Sequence, residues 1–567
     1  MKHFLLTCCL LATASLVSAQ DFETATETIQ QMGVGWNLGN TLDANSGQRM
    51  ADIVASETYW GQPVTKPELM TMMRDAGFGA IRVPVTWFPH MNDAGVVDEE
   101  WMNRVHEVVD YVLDAGLYCI LNVHHDTGAD ADGYTSWLKA DETYYQNNKV
   151  RYENLWRQIA SEFRDYDDHL LFESYNEMLD VKNSWCFASF NATGNYDAAI
   201  AASAYNAINS YAQSFVDVVR ATGGNNQQRN LVVNTYGACS GAGTWNSHLK
   251  DPLIQMALPD DPAGTGHLLF QVHSYPDISN LATAKSEIDG MISALNTHLV
   301  SKGAPVIIGE WGTSDTNADY MNRPEQLFQF VDYAVDKAKQ NHMATFFWMG
   351  LSDGSYRSLP AFSQPDLAER IVKAWHGSDY QGVFPTMDDF DVVYLVNYTA
   401  TWQELNLYGS TLSLTDYKGI RVVMAEQPAA NALQVKCYGE NNKNQYQMLS
   451  ATGLETTVMF NASAVGQKMQ RITLQTMIGA QEVKLKTAYL IRQDGTEQQL
   501  HAFSPFWGCV VEMVAQPTDI DSPLLGSSQV QRTTDGYVYN LQGQRVQKPT
   551  MPGVYVRNGR KVVVKRK

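Results

Sequence analysis

Between residues 30 and 376, short apolar runs alternate with longer stretches whose apolar residues return every three or four positions. Eight short runs stand out: Val34-Gly35-Trp36-Asn37, Ala80-Ile81-Arg82-Val83, Tyr118-Cys119-Ile120-Leu121-Asn122-Val123, Leu170-Leu171-Phe172-Glu173-Ser174-Tyr175, Leu231-Val232-Val233-Asn234, Leu268-Leu269-Phe270-Gln271-Val272, Pro305-Val306-Ile307-Ile308 and Ala344-Thr345-Phe346-Phe347-Trp348. Runs this short have strand length, and the period of the stretches between them is that of a helix. Trp101, Val105, Val108, Val109, Val112 and Leu113 form one helical stripe, and Leu327, Phe330, Val331, Ala334 and Val335 form another. Gly77 and Gly116 fall where helix ends need a left-handed residue. Strands alternating with helices call for a parallel sheet covered by helices, and eight such units close into an α/β fold of the (β/α)8 TIM-barrel type. The last helix, near Asp366 to Trp375, completes a barrel over residues 20–380.

From Phe384 the helical period disappears. Short alternating segments take over, as in Tyr394-Leu395-Val396, Leu405-Asn406-Leu407-Tyr408, Ile420-Arg421-Val422-Val423, Ile472-Thr473-Leu474 and Val483-Lys484-Leu485-Lys486, and they predict an all-β sandwich over residues 384–515. A polar linker follows at 516–532. Residues 533–567 read as a small β tail of three strands with a basic end. At the other terminus, Met1-Lys2-His3, the apolar run Phe4 to Val17 and the small residues Ser18-Ala19 have the three parts of a secretory signal, with cleavage expected after Ala19. That places the protein outside the cytoplasm, secreted or at the cell surface. No other apolar stretch is long enough for a membrane span.

Composition narrows the class of partner. A formal charge of −20 opposes nucleic acid and acidic membranes, whereas a neutral polysaccharide meets no such repulsion. Five cysteines remain once Cys8 and Cys9 leave with the signal, and Cys119, Cys186, Cys239, Cys437 and Cys509 show neither a disulfide framework nor a zinc spacing. They read as small apolar side chains.

In a barrel of this type the reacting groups gather at the carboxyl ends of the strands. Those ends carry Arg82, then His124-His125-Asp126, Asn176-Glu177, His273-Ser274-Tyr275, Glu310-Trp311 and Trp348. Two glutamates across one barrel mouth are what glycoside hydrolysis needs, one protonating the leaving oxygen and the other meeting the oxocarbenium-like carbon. A lone glutamate after a strand is more often an ion-pair partner. Two of them, set among two histidines, a tyrosine and an arginine at separate strand ends, are hard to account for as solvated surface.

The pairs Asn176-Glu177 and Glu310-Trp311-Gly312, with Arg82-Val83-Pro84 and Asn122-Val123-His124-His125, resemble glycoside hydrolase family 5 over about residues 30 to 376. The resemblance implies that Glu177 is the acid/base and Glu310 the nucleophile of a retaining double displacement. It implies further that Arg82 and Tyr275 keep the nucleophile ionised, that Asn176 holds the 2-hydroxyl, that His273 lies beside the acid/base and that Trp348 floors the subsite. Either His124 or His125 faces inward. The opening Gly35-Trp36-Asn37-Leu38-Gly39-Asn40-Thr41-Leu42-Asp43 also resembles endoglucanase-like members, in which the counterparts of Asn40 and Asp43 touch the next sugar; the alternative is a turn held by local hydrogen bonds. Trp60, Trp87, Trp137, Trp185 and Trp245 are stacking candidates along a cleft, each with core or loop packing as its alternative.

The implied substrate is a plant cell-wall β-1,4-glycan: glucan first, with xylan or mannan served by the same pair. Such chemistry requires no metal or organic cofactor. A glycan-binding protein without turnover is a reading from another class, and a metal hydrolase built on His124, His125 and Asp126 is a third. The sandwich resembles appended carbohydrate-binding modules around Leu412 to Ile420, or else is a structural cap. The tail, through Tyr539-Asn540-Leu541-Gln542-Gly543-Gln544-Arg545-Val546 and Gly559-Arg560-Lys561-Val562-Val563-Val564, resembles the sorting tails read by the type IX export machinery, or else is a small attached β-module.

Overall fold

The computed structural model describes residues 22–130, 136–184, 196–244, 246–264, 266–500 and 503–517, together with four strand segments between 538 and 564. The expected signal at 1–19, Trp185, Cys186, Trp245 and nearly all of the expected linker lie outside the described residues. The chain divides into two compact units between Phe384 and Pro385.

In the first unit eight parallel strands close in sequence order: β1 (Val34–Asn37), β2 (Ala80–Val83), β3 (Tyr118–Asn122), β4 (Leu170–Glu173), β5 (Leu231–Cys239), β6 (Leu268–Ser274), β7 (Val306–Trp311) and β8 (Thr345–Phe347). β8 returns to β1 through Val34 opposite Thr345, Gly35 opposite Phe346 and Trp36 opposite Phe347. Every residue of these strands is buried, as expected of parallel strands covered on both faces, and this is why they read as continuous apolar runs. The helix Glu99–Asp114 buries Trp101, Val105, Val108, Val109 and Val112 against them, with Leu113 at the edge. The helix Pro324–Gln340 buries Leu327, Phe330, Val331, Ala334 and Val335.

The floor of the barrel is closed by the helix Ala25–Met32. Thr24 and Glu27 start it as a reciprocal capping box, satisfying backbone donors that the first turn leaves unpaired. Ala25, Ile29 and Met32 then meet the inward residues Ala80, Ile120, Leu171, Val232, Leu269, Ile307 and Phe346. Gly35 is a requirement of that packing, because a Cβ there would stand 2.4 Å from the Phe346 ring.

Above this apolar floor the inward positions turn polar, with Arg82, Glu173, Asn234, Gln271 and His273 all buried. One irregularity aims the carboxyl end of β7. Val272 pairs with Ile308, but His273 pairs with Glu310, so Gly309 is an extra residue without a partner. A bulge of this kind shifts the in-and-out alternation by one position. Glu310 therefore faces the barrel mouth.

The second unit holds two antiparallel sheets. One runs Asn444–Met448, Leu433–Gly439, Lys468–Thr476, Glu404–Tyr408, Ser504–Trp507, and the other Glu455–Met459, Tyr417–Met424, Gln481–Arg492, Phe390–Tyr398, Cys509–Pro517. Leu405, Val435 and Leu474 of the first and Val396, Ile420 and Leu485 of the second are buried, and the Tyr398 hydroxyl donates across the gap to the Leu474 carbonyl at 2.8 Å. The tail contains four short strands, because its first apolar run folds back on itself as Val538–Asn540 and Arg545–Val546 before Gly553–Arg557 and Arg560–Val564. Among the described residues no disulfide forms, with Cys119, Cys239, Cys437 and Cys509 all buried, and no helix is long and apolar enough to cross a membrane.

Candidate active site

Glu310 and Glu177 come together at the carboxyl end of the barrel. Glu310, 4% exposed, accepts from Arg82 Nη1 on one oxygen and from the Tyr275 hydroxyl on the other, each at 2.7 Å. Glu177 follows Asn176 beyond β4 and faces His273 Nδ1 at 2.7 Å through Oε1. The same Nδ1 lies 3.5 Å from Glu310 Oε2. One oxygen of each carboxylate and a nitrogen of His273 all lie within 4.8 Å of one another. Carboxyls about 5 Å apart permit direct attack, whereas roughly 6.5–9.5 Å leaves room for an intervening water. The spacing here is the closer one.

Arg82 organises the centre. Fully buried on β2, it grips Glu173 with two parallel bonds of 2.7 Å, then reaches Glu310, Asn37 Oδ1 at 3.0 Å and Asn176 Oδ1 at 2.8 Å. Burial opposes its charge, but Glu173 and Glu310 outweigh burial and push its pKa up. Burial likewise works against the Glu173 charge, yet Arg82 and the Asn122 amide hold that carboxyl below its ordinary value. Glu310 differs. Burial raises its pKa and the Glu177 charge adds to the rise, against the pull of His273, Arg82 and Tyr275. The two carboxylates on Arg82 therefore have different characters, a fixed counter-charge at Glu173 and a proton-sensitive group at Glu310.

Both candidate histidines line the cleft, in different ways. Asn122 Oδ1 accepts from the Val85 N–H, so its amide nitrogen is the group that donates to His124 Nδ1 at 3.0 Å. The proton of His124 therefore sits on Nε2, which faces Glu310 Oε1 at 3.9 Å. Burial, followed by His125, Arg82 and His273, pushes its pKa well down, so the ring is neutral. His125 is more open, with its ring at 86° to that of His124 and its edge toward Trp60 at 5.1 Å. Trp348 lies parallel to His124. These groups, with Asn176, Glu177, Tyr275 and Glu310, line a cavity of about 450 Å³. A second cavity of about 470 Å³, walled by small residues from Gly237 to Ala242, opens on the other side of Glu177 and Tyr275.

At three places the structure bears on alternatives that the sequence left open. Asp43 is fully buried, with Oδ1 accepting from the Thr41 N–H at 2.8 Å and Oδ2 3.5 Å from His125 Nε2, which is the turn held by local hydrogen bonds. Asn40, at φ 60°, belongs to the same turn. Asp126 is turned away from the histidines to accept from the Trp87 and Phe88 N–H groups and from Trp137 Nε1, and a metal set of His124, His125 and Asp126 does not form. Asp43, His124 and His125 do bring one donor atom each within 4.8 Å, but Asn122 occupies His124 Nδ1 and Glu310 faces its Nε2. Trp87 is fully buried and donates to the Asn122 carbonyl, which removes it from the cleft, while Trp60 is 38% exposed.

Sequence reading missed Glu173 as a site residue, although a signal was present. An arginine inside a strand buried on both faces requires a buried counter-charge, and Glu173 is the charged residue within the fourth run. Asn122 and Asn234, inside their own runs, donate amides to Glu173, and Asn37 Oδ1 accepts from Arg82.

The cellulase model of glycosyl hydrolase family 5 matches residues 43–353, and the chain belongs to that family. Among curated proteins it is similar to endoglucanase B of Neocallimastix patriciarum, 34% identical over 57% of this chain and 64% of the relative. It is also similar to the cellulase/esterase CelE of Acetivibrio thermocellus, 33% identical over 62% of this chain and 39% of the relative. The chain thus spans less than two thirds of either. Among solved structures, a broad-specificity endoglucanase from an uncultured bacterium matches with TM-score 0.62 and 58% identity over 64% of this chain and 98% of the other. A family 5 enzyme from Prevotella bryantii matches with TM-score 0.56 and 41% identity over 63% and 99%.

Proposed function

We propose that the chain is a retaining, endo-acting hydrolase of β-1,4-linked glucan, with Glu310 as nucleophile and Glu177 as acid/base. The observation that carries this reading is the closeness of the two carboxylates, which leaves Glu310 to attack the anomeric carbon while Glu177 protonates the departing oxygen. In the second step water attacks the glycosyl-enzyme, and Glu177 takes the proton it gave up before. Arg82 and Tyr275 meet the charge on Glu310, and Asn176, pinned by Arg82, is held for the 2-hydroxyl. Cavities on both sides of Glu177 suit a chain that continues past the cleaved bond in each direction. Relatives named endoglucanase, and a structural relative described as a lichenase, support β-glucan as the substrate.

Proton NMR of a soluble glucan digest gives the test. The β-anomer is expected to appear first and the α-anomer only through mutarotation; α-anomer at the outset would show inversion and end the assignment. Comparing rates on glucan, xylan and mannan then ranks the backbones.

The proposal extends to location and modules. Residues 1–19 act as an export signal, so the mature chain begins at Gln20, which N-terminal sequencing of the secreted form checks. The β-sandwich binds glycan; the full chain is expected on insoluble glucan, and equal retention after Trp507→Ala and Tyr446→Ala would favour a structural cap. Both side chains are exposed on one sheet. The tail directs export, and normal secretion of a chain ending at 530 would refute that role.

A further inference from the structure

We infer that Gln271 is a positioning residue that fixes where the proton of His273 sits; the inference rests on the functional reading above and deepens it. Gln271 lies on β6 two residues before His273, on the same inward face, and its amide nitrogen is 3.3 Å from His273 Nε2. An amide N–H only donates, so the ring nitrogen it meets has to be the unprotonated one. The ring proton is thereby confined to Nδ1, the atom 2.7 Å from Glu177 and 3.5 Å from Glu310. With Nε2 accepting from Gln271, the ring presents its Nδ1–H to the acid/base.

The backbone makes room for this contact. A Cβ on Gly309 would stand 2.2 Å from the Gln271 carboxamide carbon, so the bulge residue that aims Glu310 also leaves the space in which the amide lies. The Gln271 carbonyl oxygen is buried and has no hydrogen-bond partner among the described residues, so the imidazole is the one polar group that holds this amide in place.

The charges around the ring show why the lock matters. Glu177 and Glu173 approach from β4, Glu310 from β7, Arg82 from β2 and His124 from β3, with the Tyr275 hydroxyl beside them and Glu287 and Cys239 lining the adjoining cavity. With Nδ1 already protonated, a second proton on His273 would have to sit on Nε2. An imidazolium at 2.7 Å would favour the Glu177 carboxylate and remove the proton that cleavage needs. The Gln271 cap blocks the site where that second proton would bind.

The test uses the full chain with ¹⁵N-labelled histidine, His273 being assigned by difference against His273→Asn. Wild type is expected to show a neutral ring with protonated Nδ1. Gln271→Met, which removes the cap, and Gln271→Glu, which replaces it with an acceptor, are expected to show protonated Nε2. On soluble glucan, Gln271→Glu is expected to lose its alkaline limb about one pH unit below wild type, with kcat falling and KM unchanged. A wild-type ring protonated at Nε2, or pH profiles of both variants that overlay wild type after scaling, would overturn the inference. The nitrogen shifts are read without substrate, so a protein inactive on every glycan would refute the functional reading and still report on the lock.

Discussion

Glu310→Gln is expected to leave the protein folded and able to hold a glucan but unable to cut it, with kcat down on the order of 10⁴-fold or more, as when the nucleophile of a cooperating set is lost. The amide keeps the size of the carboxylate: its oxygen accepts from Arg82, and its NH2, where Oε2 stood, donates to the Tyr275 hydroxyl oxygen, so neither neighbour loses its partner completely. What disappears is the negative charge and the oxygen that would bond to the anomeric carbon. Reducing-sugar release from a soluble glucan measures the loss, and calorimetric titration with a cello-oligosaccharide measures the binding that remains. Glu177→Gln separates the two roles. It loses about 10²–10⁴-fold on glucan, in line with removal of a general acid, but far less on an aryl glycoside whose leaving group needs no proton. Equal rates for wild type and Glu310→Gln would mean that the site binds glycan without cleaving it.

The barrel was legible because its strands are buried on both faces and its helices on one. The runs at 34–37, 80–83 and 231–234 and the stripe from Trp101 to Val112 expose that difference directly in the sequence. The strand-end residues were legible for a related reason, since polar groups directly after such runs have to face the mouth. Two kinds of information were not. The bulge at Gly309 depends on the pairing of two strands, and alternation within β7 alone would not place Glu310 on the inward side. The setting of Asp43 depends on a local turn, in which the Thr41 N–H donates to one carboxylate oxygen, and periodicity says nothing about that contact. Glu173 falls between the two cases. Its burial follows from the run in which it lies, but its pairing with Arg82, 91 positions away, follows only from the closed barrel.

Arg82→Met is expected to be the most destabilising single change at the site, and its pH dependence carries the argument. Among the described residues Arg82 is the one cation in direct contact with both Glu173 and Glu310, and removing it leaves a fully buried carboxylate without its partner, a loss of about 3–5 kcal/mol. In wild type the folded Glu173 pKa is depressed, so its stabilising contribution is present above the unfolded value of about 4.3 and is lost as pH falls through the lower folded value. In the variant burial acts unopposed by Arg82 and the sign reverses. The folded carboxyl then binds its proton more tightly than the unfolded one, so the penalty is fully present at neutral pH and shrinks in mild acid. Urea midpoints at pH 7 and pH 5 check this, the gap between wild type and variant being expected to narrow at the lower pH; a gap that stays the same would assign Arg82 a packing role instead. Adding Glu173→Gln to Arg82→Met removes the stranded charge and is expected to recover a large part of the lost stability. It does not recover activity. Glu310 still lacks its guanidinium, takes up a proton at higher pH than in wild type, and turns over on the order of 10²-fold more slowly or worse at pH 7, the scale of losing one preorganised donor. Recovery of stability without recovery of rate would divide the two bonds of Arg82 by function, with the grip on Glu173 holding the barrel together and the single bond to Glu310 keeping the nucleophile charged.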